Sequence, residues 1–326
     1  MSLTNELAAF IQTGQGEFNA LSLRLFAYQY AHNLPYRRFC NGRGQTPETV
    51  TRWQDIPAAP ASAFKRFALT CVPEEECVKV FHSSGTTGSE TSRHLMSADA
   101  LALYQVSLTA GYERHFPPLP LLGLMPPPDA SPHSSLSFML ETLGAEFFWG
   151  ESSHDTLART LTGLAIPCTL FGTAFAFVNF FDATHGERFV LPADSLVIET
   201  GGFKGRSREI EREELYTLLT KRLDVPPDHC FSEYGMSEIA SQFYSQGLTG
   251  PKLAPPWLRT RILDPVTGTE AVLGQPGLLA HYDLANVNSV LAIQTEDLGV
   301  WDEHGGFQLL GRAPGAVLRG CSLLAE

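Results

Sequence analysis

Val80-Phe81-His82-Ser83-Ser84-Gly85-Thr86-Thr87-Gly88-Ser89-Glu90-Thr91-Ser92-Arg93 is the stretch that decides how the rest of the chain is read. Two apolar residues lead into a run of glycines and hydroxyl side chains, and a helical pattern resumes near Ala98. Such a run can wrap an oligophosphate. Glycine lets the backbone come close and turn its N–H groups inward, and Ser and Thr add donors without bulk. A Walker loop needs Lys directly after its second glycine, whereas Ser89 and Glu90 follow Gly88 here. A solvated turn would account for an isolated Gly-x-x-Gly equally well. The full order Ser-Ser-Gly-Thr-Thr-Gly is much harder to reach by chance.

Working outward, 326 residues can bury a large core as one big domain or two. A hydrophobic content of 44% and a mean hydropathy of -0.04 fit an ordinary globular protein. The formal charge of -12 argues against nonspecific nucleic-acid binding, which relies on a basic surface. It leaves room for an anionic ligand, because a local cluster of donors can hold phosphate inside an acidic protein. The first residues, Met1 to Glu6, have neither a basic nor an apolar signal region, and no apolar run is long enough to span a bilayer. The six cysteines (Cys40, Cys71, Cys77, Cys168, Cys230, Cys321) show no CxxC spacing, so reduced thiols in a cytoplasmic protein are expected.

Residues 1–70 read as helical, with Phe18–His32 carrying Leu21, Leu23, Leu25, Phe26 and Tyr30 at helical spacing. Pro57 and Pro60 then enforce an extended lead-in. From Ala98 onward the chain alternates. Helices are expected over 98–112, 135–143, 155–163 and 207–223, and strands near 119–125, 145–149, 166–171 and 196–198. That alternation implies parallel or mixed sheets covered on both faces. Beyond about Gly250, short apolar runs at 258–263, 277–282 and 290–294 sit between Asp-Pro, Thr-Gly and His-Gly-Gly turns, the punctuation of a small antiparallel unit. The Phe-rich stretch Phe171–Phe181 reads either as an acyl pocket or as plain core.

The loop Ser83–Gly88 resembles the phosphate-gripping loop of adenylate-forming enzymes: acyl-CoA synthetases, luciferases and nonribosomal-peptide adenylation domains. Within that superfamily the chain looks most like the acyl-protein synthetases of bacterial luminescence operons, with phenylacetate-CoA ligases as nearest kin. The resemblance implies an α/β fold: the large N-terminal adenylate-forming domain, with mixed sheets flanked by helices, a small β-subdomain, and no C-terminal lid domain. It implies one domain over 1–326, made of a helical lead-in (1–70), an α/β core (71–249) and a β-rich subdomain (250–326). ATP and Mg²⁺ are the cofactors it implies. The substrate it implies is a carboxylic acid, with a fatty acid foremost.

The same resemblance carries over residue by residue. Ser83, Ser84, Gly85, Thr86, Thr87 and Gly88 would grip the pyrophosphate side of ATP, with Thr86 among the catalytic residues. Tyr234-Gly235-Met236-Ser237-Glu238 resembles the family's Tyr-Gly-x-Thr-Glu signature, with Ser237 in place of Thr. There the aromatic stacks on adenine, the hydroxyl meets the α-phosphate and the Glu positions Mg²⁺, for which a carboxylate is a suitable hard ligand. Taken alone, those residues would make a tight turn at Gly235 with Glu238 facing solvent. Glu199-Thr200-Gly201-Gly202 resembles the adenine floor, where Gly201 and Gly202 leave room for the base. Gln294-Thr295-Glu296-Asp297 resembles a Thr-Gly-Asp element whose Asp holds the ribose, although Glu296 replaces Gly. Arg312 in Gly311-Arg312 matches a nucleotide-contacting Arg. His133 lies where the family places an aromatic or His beside the substrate carboxylate, although a lone loop His is commonly structural.

Acyl-protein synthetases pass the acyl group to one of their own cysteines, and Arg319-Gly320-Cys321 looks like its surroundings. A thiol suits this, since its thiolate attacks an acyl-adenylate readily. Two alternatives stay open: transfer to CoA or a carrier protein, and a non-catalytic nucleotide- or acyl-binding protein. An acyl-donor or acyl-acceptor protein is the partner the family implies.

Overall fold

The computed structural model describes residues 2–83, 91–150, 152–201 and 210–313. The chain starts as three helices with ends that the sequence explains. Ser2 caps α1 (Leu3–Thr13) by accepting the Asn5 N–H, and Gly14 closes it in the left-handed conformation. α2 (Phe18–His32) buries Phe18, Leu21, Leu25 and Phe26, as its spacing predicts. Leu23 and Tyr30 are only half-buried, however, and the polar Ser22 and Gln29 take core positions. Ser22 can do so because its hydroxyl donates to the Phe18 carbonyl. Asn33 caps α3 (Leu34–Gly42), with Pro35 in its first turn. The extended lead-in becomes β1 (Ala59–Pro60), which pairs in parallel with a later strand through Ile293 and Gln294.

Val80 and Phe81 lie in β2 (Cys77–His82), antiparallel to β3 (Arg93–Ser97). β3 shows no period-2 alternation in sequence, because His94, Leu95 and Met96 are all buried. It leads straight into α4 (Ala98–Glu113), which starts where the helical pattern predicts.

A second sheet follows. Its strands are β4 (Leu121–Leu124), β5 (Glu146–Phe147), β6 (Thr169–Thr173), β7 (Leu196–Thr200), β8 (Cys230–Tyr234) and β9 (Phe243–Gln246). Between them run α5 (Ser135–Thr142), α6 (Ser153–Gly163), α7 (Ala174–Ala183) and α8 (Arg212–Leu223). The strand order is β5-β4-β6-β7-β8-β9, parallel except for β9. β6 begins at Thr169 and not at Ile166, since Pro167 cannot donate to a central ladder and Ile166 is exposed. Phe177, Phe180 and Phe181 fill the core over this sheet together with Leu170, Val197 and Leu219, so the Phe-rich stretch is core packing.

The chain then builds β10 (Leu258–Leu263), β11 (Gly277–Asp283), β12 (Ala292–Trp301) and β13 (Phe307–Arg312). These are antiparallel in the order β10-β11-β12, with both β1 and β13 pairing with β12. The last expected strand is longer than its apolar run, because β12 continues through the polar Thr295-Glu296-Asp297 to Trp301. The described residues of Met1–Tyr112, Gly235–Gln242 and Lys252–Glu326 form one unit, and those of Glu113–Tyr234 and Phe243–Pro251 form another. Among the described residues, no helix is long and apolar enough to cross a membrane.

Candidate functional site

In the first unit, two consecutive residues collect the ends of the Ser/Thr/Gly loop. The Ser237 hydroxyl donates to the His82 carbonyl, the last residue of β2, at 3.0 Å. The Ser92 hydroxyl, just before β3, donates to Glu238 Oε1 at 2.5 Å. Ser83 and Ser92 are bonded to each other twice: the Ser83 N–H donates to the Ser92 carbonyl, and the Ser92 N–H donates to Ser83 Oγ. Ser83 thus holds the base of the loop. Ser237 would have to release His82 before its proton could turn to a phosphate.

Glu238 is 6% exposed and does not face solvent. Burial pushes its carboxyl pKa upward, opposed by the Ser92 hydrogen bond and by the positive charges of Arg312 and Lys65. A buried carboxylate with one oxygen engaged by a hydroxyl is a donor set that suits a hard cation such as Mg²⁺.

Asp297 and Arg312 sit opposite each other on β12 and β13, with Arg312 Nε 3.9 Å from Asp297 Oδ1. Between the pairs Ala280–Gln294 and Leu278–Leu298, residues 295–297 of β12 face Leu279 alone, so the ribose-type element is a β-bulge. The Thr295 hydroxyl pins it by donating to the Leu279 carbonyl and accepting the Asp297 N–H. Glu296 has no positive φ, which explains why a non-glycine residue is tolerated there.

The segment after Glu238 is held by the turn that follows β11, which is buried from Asp283 to Leu291. Asp283 accepts from the Ala240 N–H, the Ser241 hydroxyl and the Ala285 N–H. Asn286 Nδ2 donates to the carbonyls of Glu238 and Val290, both at 2.9 Å. Gln29 of α2 reaches the same turn, donating to the Asn286 carbonyl and accepting the Leu291 N–H. His94 completes the set, with Nδ1 2.7 Å from the Ser237 carbonyl and Nε2 3.0 Å from Asn286 Oδ1.

In the second unit, Thr200 and Glu233 are cross-strand partners at the C-terminal ends of β7 and β8, and the Thr200 hydroxyl donates to the Glu233 carboxylate. Glu199 is buried and accepts from the Tyr216 hydroxyl, with Arg212 3.6 Å away. Gly201 follows with φ 69°, where a side chain would be strained. Tyr234 ends β8, packed at 5.6 Å against Phe243. Carboxyl ends of parallel strands are where ligands of open α/β sheets bind. His133 is exposed, just ahead of the Ser134 cap of α5.

Of the residues singled out in sequence, Ser237, Glu238, Asp297 and Arg312 belong to the first unit, with Gly235 exposed at the start of their segment. Ser84, Gly85, Thr86, Thr87, Gly88, Gly202 and Cys321 lie outside the described residues. Sequence reading passes over Ser92, His94 and Asn286. For Ser92 the available signal was its place directly after the loop.

Comparison with known proteins fits this arrangement. The model of the family described as acyl-protein synthetase, LuxE, matches residues 10–105 and 159–326. The long-chain-fatty-acid–luciferin-component ligase of Vibrio harveyi is 25% identical over 324 residues, covering 91% of this chain and 84% of that protein. Among solved structures, a 2-hydroxyisobutyryl-CoA ligase complexed with 2-HIB-AMP in the postadenylation state superposes with a TM-score of 0.67 at 15% identity. It covers 90% of this chain and 67% of that one. ATP-bound MatB from Rhodopseudomonas palustris superposes with a TM-score of 0.53 at 19% identity, covering 83% of this chain and 56% of that one. The fold is that of the N-terminal domain of adenylate-forming ligases. The chain belongs to the acyl-protein synthetase family LuxE.

Proposed function

We propose that the protein is an ATP-dependent ligase that activates a fatty acid as its acyl-adenylate and passes the acyl group to a thiol, within a single adenylate-forming domain. One observation carries this reading: both ends of the Ser/Thr/Gly loop are fastened to Ser237 and Glu238. The signature and the two flanks of the phosphate-type loop are thereby held together. In the first unit, the loop from Ser83 to Gly88 would hold the pyrophosphate side of ATP, Asp297 the ribose and Arg312 the nucleotide. Gly201, Gly202 and Tyr234 are candidates for adenine only through the family resemblance. Glu238 would hold Mg²⁺, which supplies charge neutralisation on the phosphates when bound. His133 is the candidate partner of the acid's carboxylate.

In the reaction, a carboxylate oxygen bonds to the α-phosphorus as the bond to the β-phosphate oxygen breaks, and pyrophosphate leaves. A thiolate then bonds to the acyl carbon, the C–O bond to AMP breaks, and AMP leaves. Positioning and charge stabilisation dominate such a step, in keeping with a site rich in donors. We assign the thiol to Cys321. The assignment rests on the family resemblance of Arg319-Gly320-Cys321. In support, burial pushes the thiol pKa of Cys40, Cys71 and Cys230 to about 12 and that of Cys168 to about 11, and raises that of the half-buried Cys77 as well, which leaves them poorer nucleophiles. Unpaired thiols at these positions suit a reducing cytoplasm.

ATP–pyrophosphate exchange with a panel of fatty acids tests the first step. Exchange with at least one acid, together with a covalent acyl label lost in Cys321→Ser while exchange persists, is the expected result. Persistence of the label in Cys321→Ser would move the acceptor elsewhere, and no exchange with any acid would favour a binding protein. Arg312→Ala offers a further check. Arg312 is 78% exposed and its pairing with Asp297 is long, so such a pair contributes roughly 0–1 kcal/mol to folding. The variant should therefore melt like the parent, while its KM for ATP rises about tenfold, as for a lost charged contact. An unchanged KM would remove Arg312 from the nucleotide site.

A further inference from the structure

His94 is 1% exposed, on the strand that follows the loop, and it belongs to no part of the recognised signature. Its two ring nitrogens both face acceptors. One is the Ser237 carbonyl at 2.7 Å and the other is Asn286 Oδ1 at 3.0 Å. The Asn286 amide cannot turn over to relieve this, because its nitrogen already donates to the carbonyls of Glu238 and Val290. A neutral imidazole has one N–H to give. Burial pushes the His94 pKa down to about 4, so the ring is neutral at physiological pH. One of the two contacts is therefore left with acceptor facing acceptor. That residual acceptor pair is unfavourable, so the arrangement is not one that folding stability alone would select.

Its product is a fixed backbone. The carbonyls of Ser237 and Glu238 are gripped in succession by His94 and Asn286, and their side chains point to His82 and Ser92. Two adjacent residues are thus held at four points by groups distant in the chain. We propose that His94 and Asn286 are positioning residues for Mg·ATP, fixing the Ser237–Glu238 backbone so that the Glu238 carboxylate meets the metal. This rests on the assignment of Glu238 to Mg²⁺ made above. Partners that orient a metal ligand typically contribute about 10- to 100-fold to metal affinity.

The test uses the geometry of the two nitrogens. An asparagine amide nitrogen can take the place of Nδ1 and keep the Ser237 contact. A glutamine amide nitrogen takes the place of Nε2, meets Asn286 and abandons Ser237. Binding of ATP to the full chain is measured by calorimetry with Mg²⁺ and with EDTA, alongside urea unfolding. His94→Gln and Asn286→Ala are expected to weaken Mg·ATP binding about 10- to 100-fold while metal-free ATP binding moves less than about threefold. His94→Asn should recover most of the Mg·ATP affinity. His94→Gln should nonetheless be at least as stable as His94→Asn, since it removes the acceptor pair. Equal Mg·ATP affinities for the Asn and Gln variants, or losses that follow stability and not the metal, would overturn the proposal. A parent chain that binds Mg·ATP yet exchanges pyrophosphate with no acid would remove the adenylation reading alone. The clamp would still be judged by binding. A parent that binds no Mg·ATP removes both.

Discussion

Glu238→Gln is expected to lower ATP–pyrophosphate exchange by about 10²–10³-fold, the size of effect seen when one preorganised electrostatic group is lost, and to leave the fold no less stable. The two halves of this expectation come from the same burial. The Glu238 carboxylate is held away from water, and its pKa is raised by desolvation first, with Ser92, Arg312 and Lys65 compensating only partly. A carboxyl whose folded-state pKa lies above the ordinary 4.5 binds more protons folded than unfolded over the window above 4.5. Stability therefore falls as pH rises through that window. Gln keeps the shape and can still accept from the Ser92 hydroxyl, but it has no charge to desolvate. Its stability advantage should be present at neutral pH and fade as pH drops below 4.5, where the parent's carboxyl is protonated in both states. Urea unfolding at several pH values, beside the exchange assay, reads both. Activity and stability falling together would mean that Glu238 is a structural residue and not a metal ligand.

That separation of roles was only half legible in the sequence. The strand–helix alternation of the second unit follows from apolar runs punctuated by Pro and Gly, and it appears in the structure with shifts of a few residues, as at Pro167. Local signals suffice where each strand is buried by its own neighbouring helices. Ser237, Glu238, Asp297 and Arg312 stand out in the sequence as candidates because their type and order match the family signature. What holds them was not. Asp-Leu-Ala-Asn-Val-Asn-Ser-Val from Asp283 to Val290 reads as a polar surface loop, yet it is buried, because its polar groups are met by Gln29, Asn33, Leu69 and His94 from the first part of the chain. No periodicity encodes a hydrogen bond that spans most of a sequence. β3 was hidden for a related reason: a strand covered on both faces by such partners has no alternating pattern to display. Taken without the loop, the Glu238 segment reads as a solvent-facing turn, and its burial beside Ser92 is what the sequence does not display.

Asp283 is where that buried turn is most exposed to a single change, and Asp283→Ala should cost more at acid pH than at neutral pH. The carboxylate accepts from the Ala240 N–H at 2.8 Å, the Ser241 hydroxyl at 2.8 Å and the Ala285 N–H at 2.9 Å, with no exposure to solvent. Truncation strands two buried backbone donors. Ser241 retains a partner in Ser107, 2.9 Å away. Two orphaned amides cost roughly 3–5 kcal/mol together. Against this stands the cost of keeping Asp283 charged. Desolvation raises its pKa from 3.8 to about 6 despite the three donors, and a rise of that size corresponds to about 3 kcal/mol of parent stability lost between the two pH values. The sign follows from proton counting: between 3.8 and about 6 the folded chain holds a proton that the unfolded chain has released, so raising the pH favours unfolding. The Ala variant lacks this penalty. Its deficit should be about 3–5 kcal/mol near pH 4, where the parent's acid is neutral, and shrink to about 0–2 kcal/mol at pH 7. Urea midpoints of parent and variant at the two pH values measure the difference. A deficit that stays constant, or grows toward neutrality, would mean that Asp283 gains more from its three donors as an anion than burial costs it, and the turn would then be held by charge and not in spite of it.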